Sequence, residues 1–321
     1  MNLIKSLLAV IIGAVVFVLL SGCKISTGRS EHYESYDPSK SYKLTLTPES
    51  GSKYYFLINN ETRIKTEYED KKTDNINRTT NGVYYKIDKD SVGDYLFHIT
   101  YDSVHIYTKN KDNETDLDMS NSSSTMDPVE KMLGILKNAN VTATISPKGE
   151  IKQIHGYDEM TGKIMESFTN TDRNTKELAM QRWRQLIDKG LIKKNMEQLF
   201  SVFPDSSIKI GDQWKLASHS GSDIGMNLKS IYTLKAMNSQ FTLIQSEGKM
   251  DSDTSTLDVM GFPVLAKLKG SQQSEYQLDT KTGMLISSEV KAHFEGTLEV
   301  MGKEIPIDIY SAVTMEGKKM K

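Results

Sequence analysis

The apolar positions of this chain fall into three rhythms. From Leu7 to Leu20 they are continuous (LLAVIIGAVVFVLL), diluted only by Gly13 and alanines. From Lys24 to Lys40 (KISTGRSEHYESYDPSK) no rhythm survives, as in a tether. From Tyr42 onward they alternate. Tyr42, Leu44 and Leu46 are spaced by Lys43 and Thr45, and Thr62, Ile64, Thr66 and Tyr68 by Arg63, Lys65 and Glu67. Tyr95, Phe97, Ile99 and Tyr101 repeat the pattern, and Val104, Ile106 and Thr108 resume it after a break at Asp102-Ser103. A period of two marks half-buried antiparallel strands, not the continuous apolar strands of a parallel core.

The alternation stops at a Ser/Asn-rich acidic loop from Lys109 to Thr125. Asp127-Pro128-Val129-Glu130 then reads as a helix start, with an aspartate cap and proline in the first position. A hairpin is expected at Val141–Ile145 and Ile151–Ile154, turned by Pro147-Lys148-Gly149. Residues 157–203 have a helical period. Leu178, Trp183, Leu186 and Ile187 form its stripe, and Gly190 stands where a helix would be capped. Strands return after Pro204, including Ile231–Ala236, Phe241–Gln245, Ser274–Leu278, Met284–Val290 and Ile305–Tyr310.

Two blocks open alike, with Gly51-Ser52-Lys53-Tyr54 and Gly211-Asp212-Gln213-Trp214. They also close alike, on hairpins turned at Gly149 and Gly283. The expected fold is α+β and predominantly antiparallel: two β-rich halves (41–156 and 204–316), curved or half-barrel-like, joined by a helical connector (157–203). The domain so drawn runs from 41 to 316.

The N-terminal run is shorter than the roughly 20 apolar residues of a spanning helix and matches the roughly 7–15 of a signal h-region. Lys5 precedes it, and Leu20-Ser21-Gly22-Cys23 follows it, an arrangement that resembles the bacterial lipobox. There, small residues admit the lipoprotein signal peptidase and the cysteine thiol carries diacylglycerol. The expectation is a leader of residues 1–22, lipidation of Cys23 and a tether of residues 23–40. Cys23 is the single cysteine, so the mature chain can form no internal disulfide. Lys24 lacks the aspartate that retains enterobacterial lipoproteins at the inner membrane, which favours the outer membrane, and no acidic run of the kind that marks surface export follows Cys23, which favours the periplasmic face. A formal net charge of −2 with interspersed signs argues against nucleic acid as a partner.

Candidate chemistry is sparse. His32, His98, His105, His155, His219 and His293 show no metal-ligand spacing. His98 and His105, seven apart, would lie on opposite faces of a straight strand. The loop Asp112–Asp118 alternates carboxylates as a calcium loop does. Leu117 replaces the required glycine and Ser123 the bidentate glutamate, so a solvated loop is the better reading. Ser220-Gly221-Ser222 is not a nucleophile elbow. No catalytic residue, metal ligand or cofactor site is identified. The methionines, 16 in all, include Met132, Met160, Met165, Met180 and Met196 in helical stretches and Met260 and Met284 among later strands. Such residues fill cores or line adaptable apolar sites.

The lipobox, Ile145-Ser-Pro-Lys-Gly149-Glu-Ile151, Gly156-Tyr-Asp-Glu-Met160, Phe203-Pro204, Ile208-Lys-Ile-Gly211-Asp212-Gln-Trp214 and Asp279-Thr-Lys-Thr-Gly283-Met284 together resemble an uncharacterised family of Bacteroidota lipoproteins. The resemblance covers most of residues 40–316 and implies a domain of unknown function with no active site to carry over. It also implies a periplasmic O-glycosylation sequon, matched at Ser91 (Asp90-Ser91-Val92) and Ser103 (Asp102-Ser103-Val104). Three roles are expected, in order. The first is a binding or carrier lipoprotein for an apolar ligand, the second an interaction lipoprotein accessory to an envelope complex, and the third an envelope hydrolase.

Overall fold

The computed structural model describes residues 36–69, 71–111, 113–119, 128–168, 172–173, 176–177, 180, 189–220, 226–252, 256–259 and 262–321. The leader, Leu20, Ser21, Gly22, Cys23 and the first part of the tether lie outside the described residues. So do the Leu178–Ile187 stripe, Gly221-Ser222, Met260 and Ser123.

The alternating segments form one thirteen-stranded antiparallel sheet. In chain order its strands are β1 Lys53–Tyr68, β2 Lys71–Lys89, β3 Tyr95–Lys109, β4 Glu114–Asp118, β5 Val141–Ile145, β6 Ile151–His155, β7 Gln213–Ser220, β8 Met226–Met237, β9 Phe241–Ser252, β10 Thr256–Val259, β11 Phe262–Asp279, β12 Leu285–Val300 and β13 Lys303–Lys319. Among the described residues three helices accompany the sheet, α1 Pro128–Leu136, α2 Tyr157–Ser167 and α3 Lys189–Phe200. Pro128 opens α1 as its missing N–H allows. Gly190 lies within α3, at a position where the sequence pattern expects a helix cap.

The sheet order is β6-β5-β3-β2-β1-β13-β12-β11-β9-β8-β7, with β4 on β3 and β10 on β11. It contains two five-stranded runs, β6-β5-β3-β2-β1 and β12-β11-β9-β8-β7, of the same order and direction. Their openings bond alike: Gly51 N–H donates to Ile87 O at 2.7 Å, and Gly211 N–H to Leu234 O at 2.7 Å. β1 and β12 point the same way, so neither can be the other's antiparallel neighbour. β13 lies between them and pairs with both. The halves are therefore parts of one sheet, joined by β13, which pairs with β1 on one side and β12 on the other.

Hairpin turns at Asp90–Asp94, Ser146–Glu150, Asn238–Phe241 and Asp279–Met284 gather at one end of the strands, the lower end. The upper end carries the β12–β13 turn at Met301-Gly302. At the lower end α1, α2 and α3 fill the sheet with Met132, Leu133, Leu136, Met160, Ile164 and Phe200, each 2% exposed or less. Phe200 enters an aromatic nest, 4.9 Å from Phe97, 6.1 Å from Tyr85 and 6.5 Å from Phe56 between ring centroids. Burial raises the Tyr85 hydroxyl far above its ordinary pKa.

Tyr42, Leu44 and Leu46 do not form the strand that their alternation predicts. They run as an extended strap across the lower end, with Leu44 and Leu46 buried. Tyr42 forms an isolated bridge to Ile208, Leu46 N–H donates to Pro147 O at 2.8 Å, and Thr47 N–H to Thr282 O at 2.7 Å. The strap thus ties one hairpin of each five-stranded run. It begins at Tyr36, whose N–H donates to Met237 O at 2.9 Å, so the last part of the expected tether is already bound to the sheet.

Candidate functional site

Along each long strand every second residue points to the face that holds the helices. Reading that inner face upward, three zones follow. The lowest is the helix-filled core. The highest is an apolar cluster including Ile64, Phe294, Leu268, Ile305, Ile307 and Ile309, drawn from β1, β8, β9, β11, β12 and β13, with no helix residue in it among those described. Between them lies a belt of neutral polar side chains. One register row of the belt reads Ser230, Gly248, Gln272, Ala292, Ser311, Thr62 and Asn77.

The belt is internally bonded. The hydroxyls of Thr62 and Ser311 stand 3.1 Å apart, Gln272 donates to Ser274 Oγ at 3.1 Å, and Asn75 donates to Thr73 Oγ1 at 3.3 Å. Beside it Trp214 stacks on Tyr232 (5.6 Å, 20°) and Tyr232 on Tyr276 (6.3 Å, 28°). Burial raises both tyrosine hydroxyls above their ordinary pKa. Asn77 Nδ2, Trp214 Nε1 and Ser288 Oγ are buried and meet no hydrogen-bond partner among the described residues, which costs free energy unless something polar reaches them. The helical methionines Met132, Met160 and Met196 are core filling in the lower zone, and Met165 is on the surface. None of these four lines the upper cluster.

The opposite face carries a trough of about 1090 Å³ across β2, β1, β13, β12, β11 and β9. Asp74, Lys65, Asp308, Glu295, Lys269 and Asp251 cross it in one register row. Ile307, Leu268 and Ala266 also border it, but at 4% exposure or less they offer backbone only, because their side chains point inward. The trough is therefore a charged, solvent-facing surface of mixed sign. Arg63 grips Asp74 through both its Nε and Nη2, holding that carboxyl below the usual range. Lys267 donates to Glu299 at 3.1 Å and to Glu304 at 3.2 Å.

The sequence-predicted residues are dispersed. Asp102 is an extra residue in β3 where the register with β2 shifts at Gly82/Val83, so the apparent break is a β-bulge inside one strand. The bulge moves the phase by one residue. His98 and His105 therefore share the outer face, correcting the straight-strand expectation. His98 Nε2 lies 3.2 Å from Asp88, His105 Nε2 2.5 Å from Asp116 and His293 Nε2 2.8 Å from Asp308. The acidic loop is in part strand β4, and its carboxylates answer β3: Asp116 meets His105, and Glu114 accepts from Lys109 at 3.1 Å. Among the described residues no group of three or more His, Cys, Asp or Glu side chains is placed to hold a metal ion. No described helix is long and apolar enough to cross a membrane. Ser91 stands exposed in the Asp90–Asp94 turn, whereas Ser103 is half-buried at the bulge. The trough had no sequence signal, because its lining comes from six strands spread over the whole chain.

Among solved structures, a lipovitellin structure of lipid–protein interactions aligns with 85% of this chain at 10% identity and a TM-score of 0.49. The chain spans about a quarter of the length of that lipovitellin chain, 25%. The Pseudomonas aeruginosa protein OccK7 (OpdD) aligns over 84% of this chain and 100% of its own, at 6% identity and a TM-score of 0.25. An outer membrane channel from Pseudomonas putida F1 aligns over 85% and 97%, at 5% identity and a TM-score of 0.22. No curated protein matches the chain. A family model covers residues 92–285, from the β2–β3 turn to the start of β12, and on that match the chain belongs to the DUF6263 family of unknown function.

Proposed function

We propose that this protein is an envelope lipoprotein, anchored through Cys23 in the outer membrane and facing the periplasm, that binds or carries an apolar ligand without catalysis of its own. The upper apolar cluster carries the reading. It is built from strand side chains of one sheet face, with no described helix packed on it, whereas the lower zone is filled by three helices. Its rows run from Ile309 and Phe294 through Ile307 and Leu268 to Val300 and Val264. At about 3.4 Å per residue that is roughly 20 Å of buried apolar side chains along the strands. These side chains are already withdrawn from solvent, at 7% exposure or less, so in this reading the ligand is enclosed within an apolar interior and not laid on an open face, with the neutral hydrogen-bonding groups of the belt as its neighbours.

Native mass spectrometry of the lipoprotein purified from its host in mild detergent tests the reading. A stoichiometric lipid mass beyond the anchor is expected, lost in a folded Leu268→Asp variant. A mass of protein plus anchor alone refutes it. A second reading, an interaction module of an envelope complex, has the charged trough in its favour. A photo-crosslinker at Glu295 that yields one discrete protein adduct in cells, together with a lipid-free native mass, would establish that reading instead.

A further inference from the structure

We draw no further inference here: the strongest candidate, the mixed-sign trough across β2, β1, β13, β12, β11 and β9 on the outer face of the sheet, belongs to the site already described, and nothing in the structure shows what covers it.

Discussion

Gly149 and Gly283, one in each five-stranded run, rest against opposite parts of the same side chain, Phe203. A Cβ added at Gly149 would stand 3.2 Å from Phe203 Cδ2, and one at Gly283 3.1 Å from Cζ. Both glycines have positive φ, 80° and 68°, and both press on backbone as well, that of Phe200 and of Thr45. Gly211 also has a positive φ, 96°, but an added Cβ would meet open space. Gly149→Ala and Gly283→Ala are each expected to cost more than the ~1–2 kcal/mol of a left-handed alanine, and Gly211→Ala about that amount alone. Urea midpoints of the three variants check this. Equal midpoints would mean the two turns are not packed as described.

The strap makes a second prediction. Leu46 is fully buried and lies between bonds to both turns. Leu46→Ala should destabilise by about 2–5 kcal/mol, as for other large-to-small core changes, while Lys43→Ala, exposed and next to it, should be near neutral. Thermal unfolding by circular dichroism separates the two.

The Thr62–Ser311 hydroxyl pair gives a third. It sits buried in the seam between β1 and β13. Thr62→Val should cost about 0.5–1.5 kcal/mol by removing the hydroxyl that pairs with Ser311, and Ser311→Ala should cost less in that background than alone. A double-mutant cycle measures the coupling; a coupling of zero would make the pair energetically silent.

Alkaline pH supplies a fourth. Burial raises Tyr85, Tyr232 and Tyr276, and pushes Tyr101 up to about 12. Raised folded-state values mean that the unfolded chain loses these protons first. The stability they contribute is complete below the unfolded pKa of about 10 and is lost as pH rises through it toward the folded values. Denaturant midpoints should hold to about pH 9.5 and then fall, more gently in Tyr85→Phe. A midpoint that does not fall up to pH 11.5 would contradict the burial of these hydroxyls.

The bulge at Asp102 offers a fifth. Deleting Asp102 would restore a straight strand and force either Tyr95–Tyr101 or Val104–Ile106 to the wrong face, since a slip of one residue inverts every side chain beyond it. Loss of soluble, folded protein is expected, whereas Asp102→Ala, which keeps the extra residue, should fold.

Local patterns were readable where the chemistry is local. Pro147-Lys148-Gly149 announced its hairpin, and Thr62, Ile64 and Thr66 announced their face, because turn geometry and pleat act over a few residues. Strand lengths were underestimated because neutral polar residues interrupt the apolar alternation. Ser274 and Gln272 keep the phase of Tyr276, but hydrophobicity does not reveal it. Leu44 and Leu46 misled for a related reason: alternation reports which side is buried, not whether a ladder is made. The β1–β13 seam, the belt row and the trough join residues more than two hundred positions apart, and no spacing rule reaches that far. The family match, by contrast, fits the expectation of an uncharacterised family.

The wedge that β13 drives between β1 and β12 bears on the order of folding. Tyr54 pairs with Lys319, so the first strand gains one of its two neighbours only when the last residues have been made. Loop closure over nearly the whole chain is slow, and folds dominated by such distant pairings form late. Until then one long edge of each five-stranded run has unpaired backbone, a surface on which strands of other chains can add. A truncation that removes β13 is therefore expected to leave two unjoined sheets that associate with one another between molecules, turning the last strand from a structural closure into the guard against aggregation.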